Sequence, residues 1–198
     1  MRQVGNLAVL PFRTRVRGPA PIGMLPSWLV LVCSPLQGDP GQYDIVDEAL
    51  DLFRANSLFR NFEIKGPADR TLIVLILYVS DCLSKLGSQR SLPSQIEAGK
   101  LLNTLSVDAF AIPGDASFPL NAHYAAPASR ADAGASLRLP ETVSESCIDY
   151  LRGYLVQARQ ELAARLVEKV YADGTGKPSK WWMSFEKRRF MKGLVYTV

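Results

Sequence analysis

The chain has 198 residues, 47% of them hydrophobic, and a formal net charge of +4. That is the length of one domain, with too much apolar content for wholesale disorder and enough to build a sizeable core. The positive charge sits at the ends: Arg2, Arg13, Arg15 and Arg17 stand among the first 17 residues without an acid, and six Lys/Arg stand against Glu186 alone between Lys177 and Lys192. Basic ends suit acidic partners such as phosphate, anionic lipid or an acidic protein surface. Cys33, Cys82 and Cys147 are widely spaced and odd in number. They form no CxxC pair and no disulfide framework, which suggests reduced thiols in an intracellular protein.

Residues 1–21 read as an extended arm. Pro11 stops the apolar run Leu7 to Leu10, and Pro19 and Pro21 push their neighbours to extended angles. No secretory leader is evident here. Residues 22–43 look foreign to the rest, because glycines and prolines surround the apolar run Trp28 to Cys33. That run is far short of the ~20 residues needed to span a bilayer, and no membrane association is expected.

Asp44 is a good helix N-cap, and Asp47 and Glu48 favour a helix N-terminus. Val46, Ala49, Leu50, Phe53 and Leu58 keep a 3–4 spacing, so a helix is expected from 45 to about 61, ended by Lys65-Gly66-Pro67. The four carboxylates Asp44, Asp47, Glu48 and Asp51 read as charge on a solvated face. From Ala68 to Leu86, eight apolar residues, Leu72 to Val79, lead into Cys82, Leu83 and Leu86 at helical spacing. That length, ~19 residues, favours a helix over a strand. A helix apolar all round must be enclosed, so this is expected to be the central helix.

Pro93 to Leu105 reads as a modest helix with Pro93 near N1 and Ile96, Leu101, Leu102 and Leu105 as its apolar set. Residues 109–128 read as an irregular loop whose Phe110, Ile112, Phe118, Leu120 and Tyr124 pack along the helices. Residues 129–144 are rich in Ala and Ser and read as a flexible insertion. Glu145 to Tyr171 is a long amphipathic helix with Ile148, Leu151, Leu155, Ala158, Leu162, Leu166 and Val170 on its buried stripe. Asp173 to Gly176 ends it.

The final helix is expected from 179 to about 192. In it Trp181, Phe185 and Arg189 lie at successive i, i+4 positions, with Trp182 about 100° round. Lys180, Lys187 and Arg188 take the other side, while Arg189 and Lys192 share the aromatic face. Trp, Phe, Met and Arg are enriched where one protein anchors on another. Lys177, Lys180, Trp181, Trp182, Lys187, Arg188 and Arg189 are the candidate partner-binding residues. Of the two tryptophans, Trp182 is expected to be the more buried and Trp181 the more available. An amphipathic helix that merely covers its own core is the competing account.

No catalytic set is visible. His123 is the single histidine, so neither a two-histidine metal site nor a conventional zinc site can be built, and no glycine-rich phosphate loop is present. No enzyme activity and no cofactor are expected. Basic residues among aromatics can also bind nucleic acid or an anionic surface, which leaves a free-standing basic helical module as the alternative function. No RRM, KH or zinc signature supports it.

A set of motifs resembles one family: Gly5-Asn6-Leu7-Ala8-Val9-Leu10-Pro11, Arg17-Gly18-Pro19-Ala20-Pro21 and Asp44-Ile45-Val46-Asp47-Glu48-Ala49, followed by Phe53-Arg54-Ala55-Asn56 and Ala68-Asp69-Arg70-Thr71-Leu72-Ile73. Ile112-Pro113-Gly114, Phe118-Pro119-Leu120-Asn121 and Lys177-Pro178-Ser179-Lys180-Trp181-Trp182 complete it. In this order they resemble subunit 3 of the actin-related protein 2/3 complex. The resemblance implies an all-α, compact, single domain over 1–198, with one central apolar helix surrounded by the others and an extended N-terminal arm. Segments 22–43 and 134–146 stand as insertions relative to the family. It also implies a non-catalytic structural subunit in the cytoplasm and cytoskeleton, seated against the actin-related protein 3 subunit and reaching actin filaments through the complex. ATP then belongs to the complex rather than to this chain, and nucleic acid and membrane are not partners.

Overall fold

The computed structural model describes residues 2–21, 43–57, 63–126 and 147–187. A short antiparallel hairpin, β1 (Arg2–Val4) and β2 (Leu7–Val9), is followed by helices α1 (Ile45–Asn56), α2 (Pro67–Gly87), α3 (Gln95–Val107), α4 (Cys147–Val170) and α5 (Lys180–Met183). The inserted stretches expected at 22–43 and 134–146 fall outside the described residues, except for Tyr43. Leu58 and the expected end of the first helix fall outside them too.

Local capping explains where the helices begin. Asp44 accepts from the Val46 and Asp47 amides at 3.0 and 3.1 Å, and Asp47 reaches back to the Asp44 amide. Ser94 and Glu97 form the same reciprocal pair at the start of α3, which leaves Pro93 just outside the helix rather than at its first position. At α2, Asp69 Oδ2 accepts from the amides of Lys65 and Gly66 at 2.8 and 3.0 Å, and Pro67 opens the helix.

Helix α2 is the 21-residue piece whose apolar run could have been a strand. Its buried residues include Leu72, Ile73, Leu75, Ile76, Val79, Cys82, Leu83 and Leu86. It packs against β2 and each of the other four helices. The Cys82 thiol is fully buried, and that burial pushes its pKa up to about 12, so it serves as packing rather than as a nucleophile. Buried Arg159, on α4, lies with its guanidinium 4.3 Å from the Tyr78 ring and 4.0 Å from the Phe110 ring, and donates to the Leu105 carbonyl at 2.8 Å.

Further expectations are corrected. Residues 2–9 form a hairpin instead of an extended arm. Gly5 turns at φ 59°, Val4, Leu7, Ala8 and Val9 are buried, and Thr71 Oγ1 donates to the Ala8 carbonyl at 2.6 Å. Ile96 and Ile148 are exposed at 73% and 43%. The face of α3 that meets α4 is Ala98, Leu102 and Ser106, and Ile96 points away from it. The correction at the C-terminal helix belongs with the candidate site.

From Leu10 to Pro21 the chain is irregular but tied along α4. Tyr154 Oη donates to the Leu10 carbonyl and accepts from its amide, both at 3.1 Å. Gln157 bridges the Val16 carbonyl and the Ala20 amide at 2.8 Å each. A Cβ on Gly18 would lie 2.4 Å from Gln157 Oε1, so a side chain there would have to displace the amide that makes this bridge. An ion cluster clamps this strap to α1 and α4. Arg165 holds Asp44 at 2.8 Å, Asp47 at 2.9 Å and Glu161 at 2.8 Å, and also donates to the Arg13 carbonyl. Arg13 pairs with Asp44 and Asp47 in turn. Asp44 and Asp47 are therefore not on a solvated face, since their side chains are 7% and 15% exposed. Burial pushes the Asp44 carboxyl up, but the hydrogen bonds from Arg165 and the Arg13 amide, with the Arg165 charge, outweigh it and hold it below its ordinary value.

Candidate partner-binding surface

The C-terminal segment is aimed by a sharp reversal after α4. Gly174 and Gly176 both take positive φ, 65° and 69°, and the Ser179 amide then donates to the Val170 carbonyl at 2.9 Å. Pro178 and Ser179 are buried, so the chain re-enters the domain just before the tryptophans.

The expected helix over 179–192 is reduced to the four residues of α5, followed by turns as far as Lys187. The Phe185 and Glu186 amides bond three residues back, to Trp182 and Met183, at 3.1 Å. Tightening to i, i+3 brings residues 182 and 185 onto one side, because such positions eclipse. Both rings then converge on buried Phe53. Trp182 stacks on it at 6.2 Å and 11°, and Phe185 meets it edge-on at 5.9 Å and 66°. Ser84 Oγ donates to the Glu186 carbonyl at 2.7 Å, tying the last turn to α2.

The structure thus separates the two tryptophans. Trp182 is half-buried against α1, while Trp181 is 71% exposed. The Arg54 guanidinium lies 5.9 Å from the Trp181 ring and 5.7 Å from the Phe185 ring. Lys177, Lys180 and Lys187 are exposed around this segment, and Lys187 has its Nζ 3.9 Å from Glu186. Arg188 and Arg189 lie outside the described residues, so the expected i, i+4 row Trp181, Phe185, Arg189 is not on view. Arg54 is not among the residues that the sequence marks as partner-binding. Its signal was its place in the last turn of α1, one residue past Phe53, but nothing local links it to a residue 127 positions on.

Several quoted motifs have structural work to do. Asn6 Nδ2 donates to the His123 carbonyl at 3.1 Å, and its Oδ1 accepts from the Ala125 amide at 3.0 Å. His123 itself is exposed in this loop and contributes its backbone. Asn121 closes the 112–121 turn by accepting from the Gly114 amide at 3.0 Å and donating to the Asp115 carbonyl at 2.6 Å. Among the described residues no group of three or more His, Cys, Asp or Glu is placed to hold a metal, and no helix is long and apolar enough to cross a membrane.

The chain is similar to known proteins. Residues 1–194 match the family model P21-Arc, the ARP2/3 complex ARPC3 (21 kDa) subunit. The actin-related protein 2/3 complex subunit 3 of Schizosaccharomyces pombe is 46% identical over 187 residues, covering 94% of this chain and 88% of that protein. Its counterpart in Saccharomyces cerevisiae is 44% identical over 192 residues, covering 96% and 89%. The Dictyostelium discoideum protein of the same name is 40% identical over 190 residues, covering 96% and 90%. A whole-chain family match and relatives at this identity, set on a mostly helical domain, place the chain in the P21-Arc family, the 21-kDa subunit 3 family of the actin-related protein 2/3 complex.

Proposed function

We propose that the chain is a non-catalytic structural subunit of the actin-related protein 2/3 complex, that it meets the actin-related protein 3 subunit through its C-terminal segment, and that it thereby contributes to branched actin nucleation. Lys177, Lys180, Trp181 and Lys187 form the contact, with Arg188 and Arg189 extending its basic run. Trp182 holds the segment on the domain. The observation that carries this reading is the split between neighbours: Trp182 is stacked on the core, and Trp181 is held out at 71% exposure beside Arg54. An exposed Trp rimmed by cations is the make-up of an interface hot spot that faces an acidic surface. In this reading the protein works in the cytoplasm on the actin cytoskeleton and reaches filaments only through the complex, without nucleic acid or membrane.

The test is reconstitution of the complex with Lys180→Glu/Lys187→Glu protein. Association with the actin-related protein 3 subunit should slow and lose salt sensitivity, because the lysines act by long-range attraction. Unchanged assembly and branching nucleation at low salt would reduce these lysines to a solvated face. Nuclease-sensitive capture of the tagged protein would favour a nucleic-acid module instead.

A further inference from the structure

Two adjacent residues at the end of α1 hold the C-terminal segment from different sides. Neighbouring positions on a helix point about 100° apart. Phe53 points inward and is fully buried, and Trp182 and Phe185 pack on it. Arg54, in the last turn of the helix, is exposed. Its guanidinium lies 5.7 Å from the Phe185 ring and 5.9 Å from the Trp181 ring. Phe185 is the ring that both residues share. Arg54 therefore links a ring fixed on the core to one that is 71% exposed.

The backbone of Trp181 is held independently of its ring. It lies in α5, and its carbonyl accepts from the Ser184 hydroxyl at 2.9 Å. The indole forms no aromatic pair among the described residues, so the guanidinium is the group set against it. Arg54 forms no ion pair within 4 Å among the described residues, so no carboxylate there draws it off the two rings. An exposed side chain that is immobilised on binding carries an entropic cost. A contact that holds it in place beforehand lowers that cost. A planar guanidinium stacks on aromatic faces, which a compact ammonium does not.

We infer that Arg54 is a positioning residue: it holds the Trp181 indole in the orientation that the partner meets, and it acts on association through Trp181. The inference rests on the proposed role of Trp181 as the exposed anchor and adds how that anchor is held ready.

The test uses full-length chains labelled with 5-fluorotryptophan, and reconstitution with the remaining subunits of the complex. The sequence has three tryptophans, and a Trp181→Phe chain assigns the Trp181 fluorine signal. In the free protein, Arg54→Ala should move the Trp181 signal toward that of free 5-fluorotryptophan and leave the Trp182 signal in place. In reconstitution it should weaken association about two- to fivefold. The same exchange made on Trp181→Ala should have no effect on association, because the group it positions is gone. Arg54→Lys keeps the charge without the planar group and should restore neither readout. An unmoved Trp181 signal in Arg54→Ala, an equal loss of association with and without Trp181, or full restoration by Arg54→Lys would overturn the inference and leave the Trp181 reading standing. Wild-type association of Trp181→Ala would instead overturn the Trp181 reading, and the inference with it.

Discussion

Exchanging each adjacent tryptophan for alanine should give opposite phenotypes. Removing a fully buried Trp costs ~3–5 kcal/mol. Trp182 keeps a minor part of its surface in water, so the loss of its packing scales to ~2–3 kcal/mol, and the offset stack on Phe53 at 6.2 Å adds up to ~1 kcal/mol. At ~2–4 °C per kcal/mol for a domain of this size, Trp182→Ala should lower the unfolding midpoint of the isolated subunit by ~4–16 °C. Trp181 keeps 71% of its surface in water, so little burial is lost there. Its contact with Arg54 at 5.9 Å is an exposed cation–π pair worth ~0.5–1 kcal/mol, and Trp181→Ala should move the midpoint by no more than ~4 °C. Assembly should invert this order. Trp181→Ala should weaken association with the actin-related protein 3 subunit by ~2 kcal/mol or more if it is a hot spot. The assays are thermal unfolding followed by circular dichroism and titration of the folded subunit into its partner. Equal destabilisation by the two variants would refute the assignment of Trp182 to the fold. Wild-type affinity in Trp181→Ala would refute the assignment of Trp181 to the interface.

Three further outcomes follow from the hairpin and the ion cluster. Arg165→Met removes the cation shared by Asp44, Asp47 and Glu161 and should cost up to ~3 kcal/mol in urea unfolding, because it leaves Glu161 without its cation and Asp44 and Asp47 with Arg13 alone. The same cluster sets an acid limit. The folded pKa of Asp44 is depressed, so its contribution is fully present above the ordinary carboxylate value, about 4, and is lost as pH falls through the lower folded value. Wild-type stability should fall steeply below that pH, and Asp44→Asn, less stable at neutral pH, should show a shallower fall. Parallel profiles would remove Asp44 from the account. Gly5→Ala should destabilise by ~1–3 kcal/mol, since Gly5 sits at φ 59° and a Cβ would stand 2.6 Å from the Ala125 carbonyl oxygen. An unchanged midpoint would mean that the hairpin turn relaxes freely.

What the sequence determined by itself lies within single turns of chain. Asp44 and Ser94 mark helix starts because a cap acts on amides two or three residues away. The stripe Leu151, Leu155, Ala158, Leu162, Leu166 and Val170 is buried along α4, because each member repeats the geometry of the last. The run Leu72 to Val79 was separable from a strand by its length and by the apolar residues that follow. The tertiary structure decided which apolar side chains find cover. Ile96 fits a helical pattern as well as Leu102 does, yet only Leu102 meets α4. It also decided that Asp44 joins Arg165, 121 positions away, and that Trp182 and Phe185 fold over Phe53 instead of continuing a helix. Periodicity and capping are properties of neighbours along the chain. An ion pair or an aromatic stack across more than a hundred residues depends on how whole helices dock, and no local spacing encodes that.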